Sequence, residues 1–242
     1  MDSQYEANFQ FYPVTMDEKP HSVRVDLNAL DLEAEFPHLY VLRKPYAARD
    51  NGFPLETSFS VINEFEDAVV SYLSHFDIYQ IGVITGNGVC DYFFVSKTPF
   101  DFEKQLREQF PDELFGVIVR ENDAFEIYKN VLYPDEFEVS VIYNQNVCMN
   151  LEHEGERFEK ERDVDFYMVF ETETQAEQFT QHFTEFAHTI RVEQREDEMV
   201  QVHMIANLIP TLPVMNGISQ SIVTLTNQYG GHFDGWGCRV EA

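Results

Sequence analysis

From Asp163 to Glu241 the apolar residues change their spacing in a fixed order, and that order restricts the fold more than any other feature of the chain. Asp163–Glu171 alternates Val164, Phe166, Met168 and Phe170 with polar positions, the period of a half-buried strand. Glu173–Ala187 repeats Ala176, Phe179, Phe183 and Phe186 at steps of three and four, the stripe of an amphipathic helix. Thr189–Arg195 and Val200–Leu208 read as strands around the polar turn Glu196-Asp197-Glu198. Pro210–Pro213 opens a second helix with the stripe Val214, Ile218, Ile222, Leu225 and Tyr229, and Gly230-Gly231 stops it. A last strand covers Phe233–Glu241. Strand, helix, strand, strand, helix, strand is the ferredoxin-like, split βαβ order.

A leading helix is expected over about Glu138–Leu151, with Val141, Cys148 and Leu151 on one side and Gly155 just beyond its end. The charged run Glu152–Glu161 reads as a solvated connection. Pro134-Asp135-Glu136 marks a boundary, so the expectation is an α+β protein of two domains, 1–134 and 135–242.

The first half has its own pattern. Asn8–Thr15 and His21–Leu27 alternate polar with apolar residues around Asp17-Glu18-Lys19-Pro20, a hairpin signal. Leu39–Lys44 is a third strand, closed by Pro45. Ser60 is a candidate N-cap for a helix with the stripe Val61, Phe65, Ala68, Tyr72 and Phe76. Ile78–Thr85 and Val89–Val95 form a second hairpin at Gly86-Asn87-Gly88. Those glycines do not make a phosphate loop, because a strand follows them where a helix is needed. Phe102, Leu106 and Phe110 give a short helix, Leu114–Val119 a buried strand, and Ala124–Leu132 a helix ended at Tyr133-Pro134. The domain is an antiparallel sheet with helices.

The last strand carries the least ordinary motif, Phe233-Asp234-Gly235-Trp236-Gly237-Cys238, with the only tryptophan of the chain. Strict alternation would put Gly235 and Gly237 on one face and Asp234, Trp236 and Cys238 on the other. Two glycines on one strand face mark a close approach by another backbone or side chain. Trp236 then either anchors the core or stands partly exposed as a binding hot spot.

Composition narrows the function. The chain has 16 basic and 43 acidic residues in 242, a net charge of −27. Such a chain repels nucleic-acid phosphates and anionic membranes and favours basic protein partners. With 44% hydrophobic residues, 22 of the residues being phenylalanine, it has the means to bury real cores. Cys90, Cys148 and Cys238 are an odd number without a Cys-x-x-Cys pair, which points to a reducing compartment. The N-terminal residues lack the basic and apolar regions of a signal peptide, and no apolar run nears the roughly 20 residues of a membrane span, so a cytoplasmic location is expected.

No recognised constellation points to catalysis, a cofactor or a metal. His182 and His188 are six apart and do not share a helical face at i, i+4. His153, Glu154 and Glu156 sit in the charged run without ligand spacing. Ser219 and Ser221 fall mid-helix, outside a nucleophile elbow, and Cys238 should share the buried face of Trp236.

Residues 136–242 resemble the B-type regulators of ribonuclease E activity. The likeness comprises the leading helix, the glycine turn at Gly155, the βαββαβ order and the aromatic-Asp-Gly-Trp-Gly ending at Phe233–Gly237. The first half is similar to a domain-of-unknown-function family that occurs fused to such regulators, around Pro37–Pro45, Tyr79–Val95 and Tyr128–Pro134. The resemblance implies a non-catalytic interaction protein that binds and inhibits the ribonuclease, with Asp234, Gly235, Trp236 and Gly237 as the stretch for partner contact. It departs from the family in lacking a long acidic tail after Trp236 and in carrying the added first domain. The competing expectation is an enzyme, hydrolase-like, with its site in the N-terminal domain or an interdomain cleft. Neither the residues nor the resemblance fixes the oligomeric state.

Overall fold

The computed structural model describes residues 5–121 and 124–241. It divides into two compact units, Met1–Tyr133 and Pro134–Ala242, and the fold is α+β.

In the first unit, Asp17 and Glu18 both take positive φ (49° and 61°), the twist a two-residue hairpin needs. They join β1 (Phe9–Met16) to β2 (Lys19–Asp26) in an antiparallel pair. Asn87 (φ 49°) and Gly88 (φ 81°) do the same between β4 (Ile78–Gly86) and β5 (Val89–Ser96). With β3 (His38–Pro45) and β6 (Gly116–Glu121) these strands make one six-stranded sheet in the order β1-β2-β4-β5-β3-β6.

Helix α1 (Glu56–Leu73) lies on one face of that sheet, against Tyr40, Leu42, Tyr92 and Phe94. It starts four residues before Ser60, which is interior to the helix. The loop fixes its first turn instead: Leu55 N–H and Ser58 Oγ both donate to Ala47 O. The buried stripe is Ile62, Phe65, Val69 and Leu73, one position on from the expected Val61, Ala68 and Tyr72. The sequence offers both stripes, and packing on the sheet chooses between them. The choice buries Glu66, which pairs with Arg24 and accepts from Gln80 Nε2 at 2.8 Å. Helix α2 (Phe102–Gln109) closes this core through Phe102 and Leu106. On the chain's return, α3 (Ala124–Ile127) continues as a π-helical turn, Tyr128–Leu132. Tyr128 donates to Asp26 O at 2.6 Å, and Tyr12 donates to Leu132 O at 2.9 Å. Strand β6 is less buried than its apolar sequence suggests. At the end of the sheet order it pairs, among the described residues, with β3 alone, and Ile118 and Val119 are exposed.

The second unit begins with α4 (Glu136–His153). Asp135 caps it by accepting from Glu138 N–H at 2.8 Å, and Glu138 returns the bond to Asp135 N–H at 2.8 Å, a capping box. Four antiparallel strands follow: β7 (Arg162–Phe170), β8 (Thr189–Gln194), β9 (Val200–Leu208) and β10 (Gly231–Cys238), in the sheet order β10-β7-β9-β8. Helices α5 (Glu173–Thr180) and α6 (Leu212–Tyr229) connect them, so the βαββαβ order expected from the sequence is present. Val164, Phe166, Met168 and Phe170 of β7 are fully buried under α5 and α6. Each such side chain contributes about 1.5–3 kcal/mol of burial.

Three local readings change here. Helix α5 is shorter than its stripe, ending at Thr180 and tightening into a 3₁₀ turn over Gln181–Phe183, which leaves Phe186 partly exposed. In α6 the buried positions are Met215, Ser219, Ile222, Val223 and Thr226, while Val214 is exposed. The charged run before β7 is not wholly solvated. Glu156 and Arg162 form a buried ion pair, and Glu156 also accepts from the backbone N–H of Phe158 at 2.6 Å and Glu241 at 2.9 Å.

Candidate functional site

Strand β10 does not alternate throughout. Phe233 pairs with Met168 and Gly235 with Tyr167, so Asp234 has no partner on β7 and forms a β-bulge. Side chains opposite one another share a sheet face. Phe233, Trp236 and Cys238 therefore join Met168, Phe166 and Val164 on the core face, and Gly237 joins Asp165 on the other. This corrects the strict alternation: the extra residue separates Asp234 from Trp236 and turns Asp234 outward, where it is exposed.

Trp236 is only 2% exposed. Its indole Nε1 donates to Asn144 Oδ1 at 2.6 Å. Asn144, itself fully buried on α4, donates through Nδ2 to Asn216 Oδ1 at 2.9 Å and to Ser219 Oγ at 3.0 Å, both on α6. One turn of helix thus ties β10, α4 and α6 together through a satisfied polar network, which a buried Trp N–H requires. Gly235 is buried at φ 118°, and a Cβ there would lie 2.9 Å from the Tyr143 ring. Tyr143 Oη completes the approach by donating to Trp236 O at 3.1 Å. The close approach signalled by the glycines is this one. A Cβ at Gly237 would meet nothing within 4 Å.

The four motif residues therefore divide. Asp234 stands at the surface, Gly235 and Trp236 are buried, and Gly237 is half-buried. Tyr143, packed against Gly235, is 41% exposed. Sequence reasoning missed Tyr143, Asn144 and Asn216, and weighed Ser219 only as a nucleophile. Asn144 and Ser219 sit on the buried sides of two helices, where polar residues weaken a hydrophobic stripe and give no positive signal of their own.

The opposite face of the sheet holds two carboxylate–imidazole pairs. His203 Nε2 lies 2.6 Å from Asp165 Oδ1, and its ring stacks on Tyr167 at a centroid distance of 4.8 Å. His188 Nε2 lies 3.0 Å from Asp163 Oδ1, and its Nδ1 lies 3.1 Å from Thr189 Oγ1. The His188 contact, with a lesser contribution from Asn207, holds the Asp163 carboxyl below its usual range. A hydroxyl–imidazole–carboxylate line is the order of a nucleophilic triad. Here Asp163 and His188 both stand in solvent, which screens the charges and solvates any developing oxyanion. Among the described residues no group of three or more His, Cys, Asp or Glu is placed to hold a metal ion.

The thiols are ordinary. Burial pushes Cys148 up to about 11 and raises Cys90 and Cys238 as well, so none has the character of an activated nucleophile. No helix among the described residues is long and apolar enough to cross a membrane.

Residues 141–238 match the family "Regulator of ribonuclease activity B". Residues 7–133 match a family of unknown function, DUF695. A search of curated proteins finds no match. Among solved structures, a "putative glycine cleavage system transcriptional repressor" is 10% identical with a TM-score of 0.24, over 84% of this chain and 99% of that one. An unknown protein from Galdieria sulphuraria is 11% identical with a TM-score of 0.23, over 83% and 97% of the two chains. Neither likeness bears on fold or function. Through residues 7–133, more than half of its length, the chain belongs to the DUF695 family of unknown function, and its second unit carries the match to regulators of ribonuclease activity.

Proposed function

We propose that the second unit is a ferredoxin-like, non-catalytic regulatory module that binds and inhibits a ribonuclease E-type enzyme. The observation that carries this reading is the family match over residues 141–238, which runs from within α4 to the end of β10 and so includes every residue of the Trp236 network. In this reading the corner of α4 and β10 meets the partner. Asp234 and Tyr143 make the contact. Gly235, Trp236 and Gly237 hold Asp234 where the bulge presents it. The acidic chain, at −27, favours a basic surface on the ribonuclease and speeds encounter with it. The same reading places the protein in the cytoplasm.

A ribonuclease E cleavage assay with the full chain titrated in, at low and at moderate salt, tests it. Saturable inhibition that weakens with salt, and weakens further in Asp234→Ala and Tyr143→Ser, is the expected result. Absence of inhibition and of co-purification with the nuclease sinks it. Inhibition untouched by both substitutions keeps the regulator and moves the contact elsewhere.

A further inference from the structure

The first unit has a groove that neither its family nor the regulator reading assigns. It runs between α1 and the β1–β2 edge of the six-stranded sheet, because α1 covers β4, β5 and β3 and leaves the outer hairpin bare. Its volume is about 210 Å³, and a second recess of about 370 Å³ shares Ser22, Pro54, Phe59 and Thr85 with it. Two aromatic rings wall it, Phe11 at 53% and Phe59 at 46% exposure. Large apolar side chains left this bare on either side of a recess mark a binding surface more often than chance exposure does.

The charges identify the occupant. The lining of the two recesses contains two guanidinium groups, Arg24 and Arg49, against one carboxylate, Glu66. In a chain of net charge −27 that local excess of cation is against the trend. Glu66 is already engaged by Arg24 and by Gln80, whereas Arg24 Nε has no hydrogen-bond acceptor among the described residues. Ser22, Asn63 and Thr85 add neutral hydrogen-bonding groups around the same floor. We propose that this groove is a binding site for a small aromatic carboxylate, its ring between Phe11 and Phe59 and its anionic group toward Arg24 and Arg49. The first recess, at about 210 Å³, lies below the roughly 300–1,000 Å³ of drug-sized pockets, which restricts the part buried between Phe11 and Phe59 to about one ring. Arginine is the side chain suited to a planar carboxylate, since its fork matches both oxygens.

The probe is 4-fluorobenzoate, followed by fluorine NMR on titration into the full chain, with 4-fluorobenzylamine and 4-fluorobenzyl alcohol as comparisons. The expected result is saturable binding of the acid with a Kd on the order of 1 mM, as befits a single ring. The alcohol binds at least tenfold more weakly and the amine not at all. Phe59→Ala and Arg49→Gln, both at exposed positions, each weaken the acid at least tenfold while the thermal midpoint of the protein stays within about 2 °C. Arg24→Lys, which keeps the charge beside Glu66, weakens it by less. Equal binding of acid and amine overturns the proposal, as does binding that survives Phe59→Ala and Arg49→Gln together. Absence of acid binding up to about 10 mM overturns it as well. Inhibition of a ribonuclease by the second unit is read in a separate assay and is independent of all three outcomes.

Discussion

The indole Nε1 of Trp236 donates to Asn144 Oδ1 at 2.6 Å, and this bond fixes a strand to a helix 92 residues away in the chain. Asn144 accepts there and uses both amide hydrogens on Asn216 and Ser219, so one side chain holds three elements. Removing it strands the buried Trp236 indole N–H and Ser219 hydroxyl and leaves the half-buried Asn216 amide without that partner. Asn144→Leu is expected to destabilise the second unit by about 2–4 kcal/mol. Urea unfolding followed by Trp236 fluorescence measures this directly, because that residue is the only tryptophan. A change under about 1 kcal/mol would mean that water replaces the amide.

Gly235 carries two separate constraints, its φ of 118° and the Tyr143 ring 2.9 Å from where a Cβ would stand. Gly235→Ala is expected to cost about 1–3 kcal/mol. Only the steric part depends on Tyr143. A double-mutant cycle with Tyr143→Ala should therefore recover some of that loss and leave the backbone part in place. Strict additivity would show that the ring yields freely.

Glu156 supplies an acid-sensitive contribution to stability. Arg162 beside it, aided by the backbone N–H groups of Glu241 and Phe158, overcomes the cost of burial and lowers its carboxyl to about 2. In the unfolded chain the carboxyl titrates near 4.3. The folded state binds its proton less readily, so the contribution is complete above about pH 5 and is lost as the pH falls toward 2. Denaturant unfolding at a series of pH values between 7 and 2 should show this slope. Glu156→Gln should flatten it, and should also lower stability at pH 7 by about 3–5 kcal/mol by stranding the Arg162 charge.

Thiol labelling separates the three cysteines. Cys90 and Cys148 are buried and Cys238 is half-buried, each with its thiol raised by burial. An aromatic disulfide reagent at pH 8 should label Cys238 slowly and first, and the other two only in denaturant. Rapid labelling of Cys148 in the native protein would mean that α4 opens readily from α6.

The architecture of the second unit was legible because its order of periods is unusual and nearly free of ambiguity. Val164, Phe166, Met168 and Phe170 alternate without exception and all four are fully buried. Helices with two overlapping apolar stripes were legible only as helices. In α1 the residues Val61 and Ile62 lie side by side in sequence, and only contact with the sheet decides that Ile62 turns inward. Edge position is equally silent: Ile118 and Val119 look like core residues until β6 is placed at the rim. At the motif, Gly235 marked a tight approach, whereas Gly237 did not, since a Cβ there would meet nothing within 4 Å. The bulge was hidden, because an inserted residue leaves no compositional trace and shows only in the pairing of Phe233 and Gly235 with β7.

That inserted residue has a further consequence. Ordinary strand positions are owned by one sheet face or the other, and a side chain there must suit its neighbours. Asp234 belongs to neither ladder. Its identity is uncoupled from the parity of the strand, so the position tolerates a change of charge, size or polarity while Phe233 and Trp236 keep their places in the core. The scaffold thus carries at its surface a letter that can be exchanged without rewriting the fold.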